Sequence, residues 1–263
     1  MEVNYLFIDG GCLRESLKDY SERFFDCDKI EFDYQKLSRE FSKIFYYDSL
    51  PVKNATESEE EFHIRVQSSI DFFTKLSLMD GYHVYEGTAR RRRKRIEQKK
   101  VDIMIAVDML NHSFRRNMSK ATLLAADLDF KPLIDALVDN GMYVSLWYPL
   151  GKTNIELIQS ADASRKLDLS TIFEYSTIDF QKNHFIPRGK DKMGKDLFNV
   201  TKIEEIENKF GIKGELYKAN DRPTYFLLFP TYFNPRANTH LEFENVEKLK
   251  EYFNEYSYPQ YKV

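Results

Sequence analysis

Carboxylates follow two apolar segments of the sequence, at the points where each segment ends. Asp9 comes directly after Val3 to Ile8 (VNYLFI), and Asp127 and Asp129 follow Ala121 to Ala126 (ATLLAA). Both segments are short, apolar and flanked by polar residues, so they are predicted to be buried strands. Because ligands bind beyond the carboxyl ends of strands in an open parallel sheet, we expect the three acids to share one sheet edge.

Carboxylates gathered at one edge repel one another unless a positive charge lies among them. The cysteines, Cys12 and Cys27, and the five histidines are scattered without the spacing of a zinc site. Oxygen ligands alone favour Mg²⁺ or Mn²⁺ over Zn²⁺. The chemistry that these acids predict is metal-assisted hydrolysis of a phosphodiester, in which bound cations activate water and stabilise charge on the phosphate.

Two further acids belong to the predicted helix within KKVDIMIAVDML, residues 99–110. Asp102 and Asp108 are six residues apart, which is about 240° around a regular helix, so both cannot face one ion. Asp102, near the helix start, is predicted to be the ligand, and Asp108, inside an apolar stretch, is predicted to orient a neighbour. The alternative for both is a cap or an ion pair.

Glycines follow the first acid, and capping offers a simpler interpretation of the later pair. Gly10 and Gly11 are expected to permit a tight turn and to let a phosphate approach the backbone. Asp127 and Asp129 could instead serve a turn and a helix N-cap, where Asp is favoured. Independent capping does not require acids to gather at one sheet edge. The expected convergence of Asp9 with these two acids therefore favours a metal site.

A basic run directly precedes the Asp102 helix. Arginine and lysine side chains paired with phosphates add salt-sensitive affinity for a polyanion. The alternative is a solvated or disordered charge run. The residues predicted to grip a nucleic-acid backbone are Arg90, Arg91, Arg92, Arg93, Lys94, Arg95, Lys99 and Lys100.

Strand and helix patterns alternate over the first two thirds of the chain, which predicts an α/β fold whose parallel sheet has helices on both faces. Ser58 and Glu61 match a capping box, and Pro132 is placed to open a helix after the later acids. Besides the two acid-bearing strands, strands are predicted at Ile44–Leu50, Tyr82–Glu86 and Tyr143–Tyr148, and helices at Leu13–Tyr20, within Ile30–Phe45, after Ser58 and around Asn154–Ala163.

The composition changes after about Tyr175, which predicts a first domain over residues 1–176 and a small α+β domain over residues 177–263. Asn183 to Lys195 is predicted to be a loop or linker. Thr201 to Phe210 is predicted to be a helix with a capping box at Thr201 and Glu204. The other expected elements are strands at Lys213–Lys218, Thr224–Phe229 and Thr239–Phe243 and a helix at Val246–Phe253.

Composition limits the classes of function. The formal net charge of the 263 residues is −3, so contact with a nucleic acid must come from local clusters of charge. The sequence lacks a targeting pattern and a run of about 18 apolar residues, so we expect no membrane association. Cysteine usage fits a reducing cytoplasm.

Three blocks of the sequence resemble the NYN domain of PIN-like nucleases. They are FIDGGCL, KKVDIMIAVDML and AADLDFKPLI, in family order and spacing, and the resemblance extends from about Met1 to Ile172. It implies a PIN-like fold, Mg²⁺ or Mn²⁺, and endoribonuclease activity. Asp9, Asp102, Asp127 and Asp129 match the family's acidic positions, and Asp108 matches a recurrent acid, so the resemblance implies that these five are the catalytic residues.

The chain departs from the family pattern beside two of these acids. Cys12 stands where the family usually has Asn, and Ala125 and Ala126 stand where a small polar residue or Gly is common. We therefore expect a metal-dependent endoribonuclease acting on single-stranded or structured RNA, or else a regulatory RNA-binding protein that cuts slowly or not at all. A haloacid dehalogenase-type phosphatase is disfavoured because Gly11 replaces its second Asp. The C-terminal domain is expected to select the substrate or to bind another copy or a protein partner.

Overall fold

The structure is a computed structural model. It describes residues 3–51, 53–54, 56–87, 90–92, 95–97, 100–193, 197–231, 234 and 236–256. Contacts divide the chain into two compact units. The first comprises Met1–Leu167 with Glu174–Thr177, and the second comprises Asp168–Phe173 with Ile178–Val263. The division of the chain into domains at residues 1–176 and 177–263 stays a prediction.

A parallel sheet forms the centre of the first unit. Over the described residues it has six strands in the order β3-β2-β1-β6-β7-β8. Its strands are β1 (Asn4–Asp9), β2 (Lys43–Ser49), β3 (Tyr82–Gly87), β6 (Lys120–Leu124), β7 (Tyr143–Pro149) and β8 (Ala163–Leu167), and the intervening β4 (Arg90–Arg92) and β5 (Arg95–Glu97) form a separate antiparallel pair. The predicted α/β class is confirmed, but β8 was not predicted.

Helices cover both faces of this sheet. They are α1 (Gly10–Tyr20), α2 (Tyr34–Leu37), α3 (Glu59–Ser77), α4 (Lys100–Phe114), α5 (Lys131–Asp139) and α6 (Ile155–Ser160). The next helix in the chain, α7 (Leu169–Glu174), belongs largely to the second unit. A π-helical segment, Ser21–Phe25, continues α1, and a 3₁₀ turn, Leu128–Phe130, precedes α5.

Alternate residues of the central strands pack on opposite faces, as expected for strands buried on both sides. In β1, Phe7 belongs to the core that includes Ile105 of α4 and Ile134 of α5. Its neighbour Ile8 belongs to the other core, with Phe73 of α3. The two cores hold the sheet between helices on both faces, and this packing fixes the positions of the strand ends.

Local signals placed two helix starts correctly. Ser58 accepts a hydrogen bond from the backbone of Glu61, and the Glu61 carboxylate accepts one from the backbone of Ser58, so the predicted capping box of α3 is confirmed. Pro132 lies in the first turn of α5, as predicted. The helical pattern proposed within Ile30–Phe45 was too long, because only Tyr34–Leu37 is helical.

The second unit contains an antiparallel sheet. In the described part of the chain its strand order is β10-β11-β12-β13-β9. Its elements are α8 (Ile178–Asn183), β9 (Arg188–Met193), β10 (Val200–Glu207), β11 (Lys213–Ala219), β12 (Tyr225–Pro230), β13 (Ala237–Phe243) and α9 (Val246–Glu255). Leu249 and Phe253 of α9 pack on Leu227 and Leu241, so α9 covers one face of the sheet.

Two expectations for this unit were wrong. Thr201–Phe210 is not a helix, because Val200–Glu207 is β10 and pairs with β11. The loop expected at Asn183–Lys195 contains β9. β9 is polar and exposed, so no apolar periodicity marked it. In β10, Val200, Ile203 and Ile206 recur at every third position, which is closer to the period of a helix than to that of a strand. Pairing with a neighbouring strand decided both conformations.

Candidate active site

The acid-bearing strands are neighbours at the centre of the parallel sheet. β1 pairs with β2 on one side and with β6 on the other, with Ile8 opposite Leu124 in the β1–β6 register. The chain moves outward through β2 and β3 in one direction and through β7 and β8 in the other. Such a switch in strand order leaves a crevice beyond the strand ends. Asp9 and Asp127 follow the two strands that flank it.

Asp9 ends β1 and caps α1. Its Oδ1 accepts a hydrogen bond from the backbone N–H of Cys12 at 3.2 Å. Burial raises the pKa of Asp9 from 3.8 to about 6, against the opposing effect of the Cys12 amide, and the charges of Asp102 and Asp48 raise it further. The Asp9 carboxylate is therefore held by backbone amides in a negative environment.

The expected tight turn after Asp9 is absent, because α1 begins at Gly10 itself. Among the described glycines with positive φ, neither Gly10 nor Gly11 occurs. A Cβ at Gly10 would lie 2.6 Å from the Tyr46 ring. Gly10 is thus required for close helix–sheet packing, and Gly11 lines the cleft described below.

The later acids lie on the segment between β6 and α5. Asp127 caps the 3₁₀ turn and accepts a hydrogen bond from the backbone N–H of Asp129 at 3.0 Å. Both side chains are exposed. Asp127 therefore caps the 3₁₀ turn, as the alternative interpretation predicts, and it also lies just beyond the carboxyl end of β6.

The acids of α4 have different surroundings. Asp102 lies in the first turn, where burial raises its pKa and the charges of Asp127 and Asp129 add to the effect. Asp108 accepts a hydrogen bond from the Tyr47 hydroxyl at 2.8 Å. Asp102 is thus electrostatically coupled to the acids of the crevice, whereas Asp108 is fixed to the sheet by a neutral donor.

A cleft of about 500 Å³ opens at the crevice, and Asp9 and Asp127 line it together. Sequence reasoning missed three of its other polar residues, Glu15, Lys152 and Asn154. Lys152 and Asn154 follow β7, the next strand along the sheet, so the rule that located Asp127 could have found them. No spacing in the sequence distinguished Glu15, which α1 brings to the cleft.

The oxygen donors of this region fit a hard cation. Mg²⁺ commonly binds one or two carboxylates and completes its coordination with waters and substrate phosphates. Asp9 and Asp127 supply two carboxylates on one cleft. Among the described residues, no group of three Asp, Glu, His or Cys side chains could hold a metal ion. Joint ligation by Asp9, Asp102, Asp127 and Asp129 stays a prediction.

The described residues of the basic run lie on β4, β5 and the start of α4. The backbone of Arg90–Arg92 pairs with that of Arg95–Glu97 in the antiparallel sense. Arg93, Lys94 and Lys99 lie outside the described residues, and so do the side chains of Arg90, Arg91, Arg92, Arg95 and Lys100. Their contact with nucleic acid stays a prediction.

Acids at the switch point of a helix-covered parallel sheet indicate a protein of the PIN-like nuclease class. The NYN domain model matches residues 5–168, and the chain belongs to this family, which is part of the PIN-like nuclease superfamily. The fold is therefore nuclease-like, as predicted.

Other comparisons add little. A solved structure of a protein of unknown function, VPA0982 from Vibrio parahaemolyticus RIMD 2210633, is 15% identical over 67% of this chain and 96% of its own, with a TM-score of 0.45. No curated protein matches the sequence. None of the described helices has the length and apolar content needed to span a membrane.

Proposed function

We propose that this protein is a divalent-metal-dependent endoribonuclease of the cytoplasm, with Asp9, Asp102, Asp127 and Asp129 holding Mg²⁺ or Mn²⁺. The observation that carries the proposal is the shared cleft of Asp9 and Asp127 at the switch point. Membership of the NYN family supports RNA as the substrate. Substrate selection, or association with another copy or a protein partner, is the proposed role of residues 177–263.

The charges around the cleft support a cation there. The charge of Asp102 adds to the effect of burial in raising the pKa of Asp9. The charges of Asp127 and Asp129 likewise add to the effect of burial in raising the pKa of Asp102. A bound divalent cation would offset this repulsion and polarise both water and the scissile phosphate. The acids of the chain then orient the reacting groups, and the backbone amides at the start of α1 keep Asp9 in place.

Lys152 supplies a positive charge on the same cleft. Its Nζ lies 3.7 Å from Oδ1 of Asp19, and its side chain is exposed enough to reach solvent. We assign Lys152 to binding an RNA phosphate beside the scissile bond, because an ammonium acts as a point charge toward phosphate. Asn154 caps α6 through a hydrogen bond from the Glu156 backbone, which fixes the adjacent wall of the cleft.

The first test is cleavage of mixed cellular RNA and of single-stranded DNA by the purified protein with Mn²⁺, Mg²⁺ or chelator. Asp127→Asn is expected to lower the rate by about 100-fold or more, since it removes charge where the metal is bound. Asp139→Asn is the matched control, because Asp139 is an exposed acid at the end of α5, and it should cut like the wild type.

A second candidate function is RNA binding without efficient cleavage. Cys12 lines the cleft in place of the usual Asn, and burial raises the pKa of its thiol, so it offers neither an amide nor a thiolate. If wild type and Asp127→Asn both bind RNA and leave every nucleic acid intact at all metal concentrations, this second candidate replaces the nuclease. Equal cutting by wild type and Asp127→Asn would instead reject the assigned site.

A further inference from the structure

β9 is an edge strand with cations on one face. In the described sheet it follows β13 at the end of the strand order. Successive residues of a strand point to opposite faces, so Arg188, Lys190 and Lys192 share one face. All six residues of β9 are exposed. We call these three side chains the cationic face.

Two residues on the opposite face of β9 contact the neighbouring strand β13. A Cβ at Gly189 would lie 3.0 Å from a methyl group of Leu241. The carboxylate of Asp191 accepts a hydrogen bond from the Thr239 hydroxyl at 2.8 Å. These contacts fix the orientation of the strand, so the cationic face projects from a defined backbone rather than from a loose loop.

The two edges of the sheet use their charges differently. On β10, Glu204 pairs with Lys250 at 2.7 Å and Glu205 pairs with Lys202 at 2.6 Å. None of the ion pairs in the described part of the chain includes Arg188, Lys190 or Lys192, although Glu242 lies opposite Arg188 in the strand register. Glu204 and Glu205 of one edge are thus paired within the unit, whereas the cations of the other edge can bind an anion.

We infer that the cationic face binds the phosphate backbone of single-stranded RNA, an inference that rests on the proposed function. Alternate strand residues recur about every 6 to 7 Å, a repeat comparable with that of phosphates along an extended nucleic-acid strand. Phe185 and Phe198, on either side of β9 in sequence, are 58% and 87% exposed. Cations that follow a backbone and aromatic rings that stack on bases are the two components of single-strand binding sites.

Edge-strand lysines also discourage unwanted strand pairing, which is the competing explanation. Glutamates protect an edge equally well but repel RNA, so reversing the charges separates the two explanations.

The test compares full-length Arg188→Glu/Lys190→Glu/Lys192→Glu with wild type. The matched control, Lys182→Glu/Lys209→Glu/Lys213→Glu, makes the same change in net charge at exposed lysines of the same unit. Binding of a fluorescein-labelled oligouridylate is measured by anisotropy in chelator over a range of KCl. The β9 variant should weaken binding and lower the slope of log K against log salt by about 2, from three contacts worth about 0.7 each.

The control should keep the wild-type slope, and all proteins should unfold at similar temperatures. If the β9 glutamate variant does not fold, Arg188→Gln/Lys190→Gln/Lys192→Gln should give the same loss of slope. A wild-type slope in the β9 variant would overturn the inference while leaving the nuclease proposal intact. A changed elution volume with unchanged RNA affinity would overturn it in favour of a protein contact. Failure of wild type both to bind and to cut RNA would reject both proposals.

Discussion

Asp9 and Asp48 lie at the ends of neighbouring strands, but their carboxylates have neighbours of opposite charge. Asp9 pairs in register with Tyr47, so Asp48 is only one position beyond it on β2. Asp48 forms an ion pair with Arg14, accepts hydrogen bonds from the Tyr46 hydroxyl and the Ser49 backbone, and has a side chain only 2% exposed. Asp9 has backbone donors and acidic neighbours.

The contrast separates a structural acid from one suited to function. A buried acid with a cation and two donors is electrostatically satisfied. An acid whose pKa is raised by burial and by like charges beside a cleft is a candidate for binding or catalysis. Asp108, held by the Tyr47 hydroxyl, resembles Asp48 more than Asp9. Three variants test this comparison.

Removing the cation of the structural acid should have the largest effect on stability. Arg14→Met leaves Asp48 buried without its ion pair, and we expect the free energy of unfolding to fall by about 3 kcal/mol at pH 7. Chemical denaturation measures the change. Arg23→Met removes an exposed pair with Asp19, so this control should cost less than about 1 kcal/mol. Equal losses in the two variants would refute the special status of the Arg14–Asp48 pair.

Replacing Asp9, the acid that lines the cleft, should instead raise the free energy of unfolding. Asp9→Asn keeps a side-chain acceptor for the Cys12 amide and removes a charge that burial and like charges disfavour. A pKa raised from 3.8 to about 6 corresponds to a gain of about 2 to 3 kcal/mol at pH 7 in chelator. The variant should at the same time lose RNA cleavage.

The pH dependence of that gain follows from the direction of the shift. Folded wild type holds the Asp9 proton more tightly than the unfolded chain, so its stability falls as pH rises from about 4 to beyond 6. The advantage of Asp9→Asn should therefore vanish near pH 4 and be complete at pH 7. Denaturation at both pH values checks this, and an advantage of equal size at both would contradict the charge explanation.

The smallest effect is expected at the third acid. Tyr47→Phe removes the hydroxyl that donates to Asp108, and we expect a loss of about 1 to 2 kcal/mol in unfolding free energy. Tyr85→Phe is the control, because Tyr85 stacks on Tyr47 with ring centroids 5.0 Å apart and the substitution preserves the stack. Both variants should cut RNA at the wild-type rate. A large loss of activity in Tyr47→Phe would move Asp108 from a structural to a catalytic role.

The amino-acid sequence by itself determined the central strands, the start of α3, the start of α5 and the acids at the ends of β1 and β6. Apolar segments, capping residues and proline act over a few neighbouring positions, so they can be recognised without the fold. The same local rules failed for β9 and β10, which adopt strands because β13 and β11 pair with them.

Only the tertiary structure decided which acids are neutralised and which are left at the cleft. In sequence, Asp48 is an aspartate at the end of an apolar strand, like Asp9, and nothing nearby in the chain shows that Arg14 reaches it. The order of strands likewise placed β1 beside β6 and brought Glu15 and Lys152 to the same cleft. Burial and pairing depend on residues far apart in the chain, and those contacts set the charge that each carboxylate experiences.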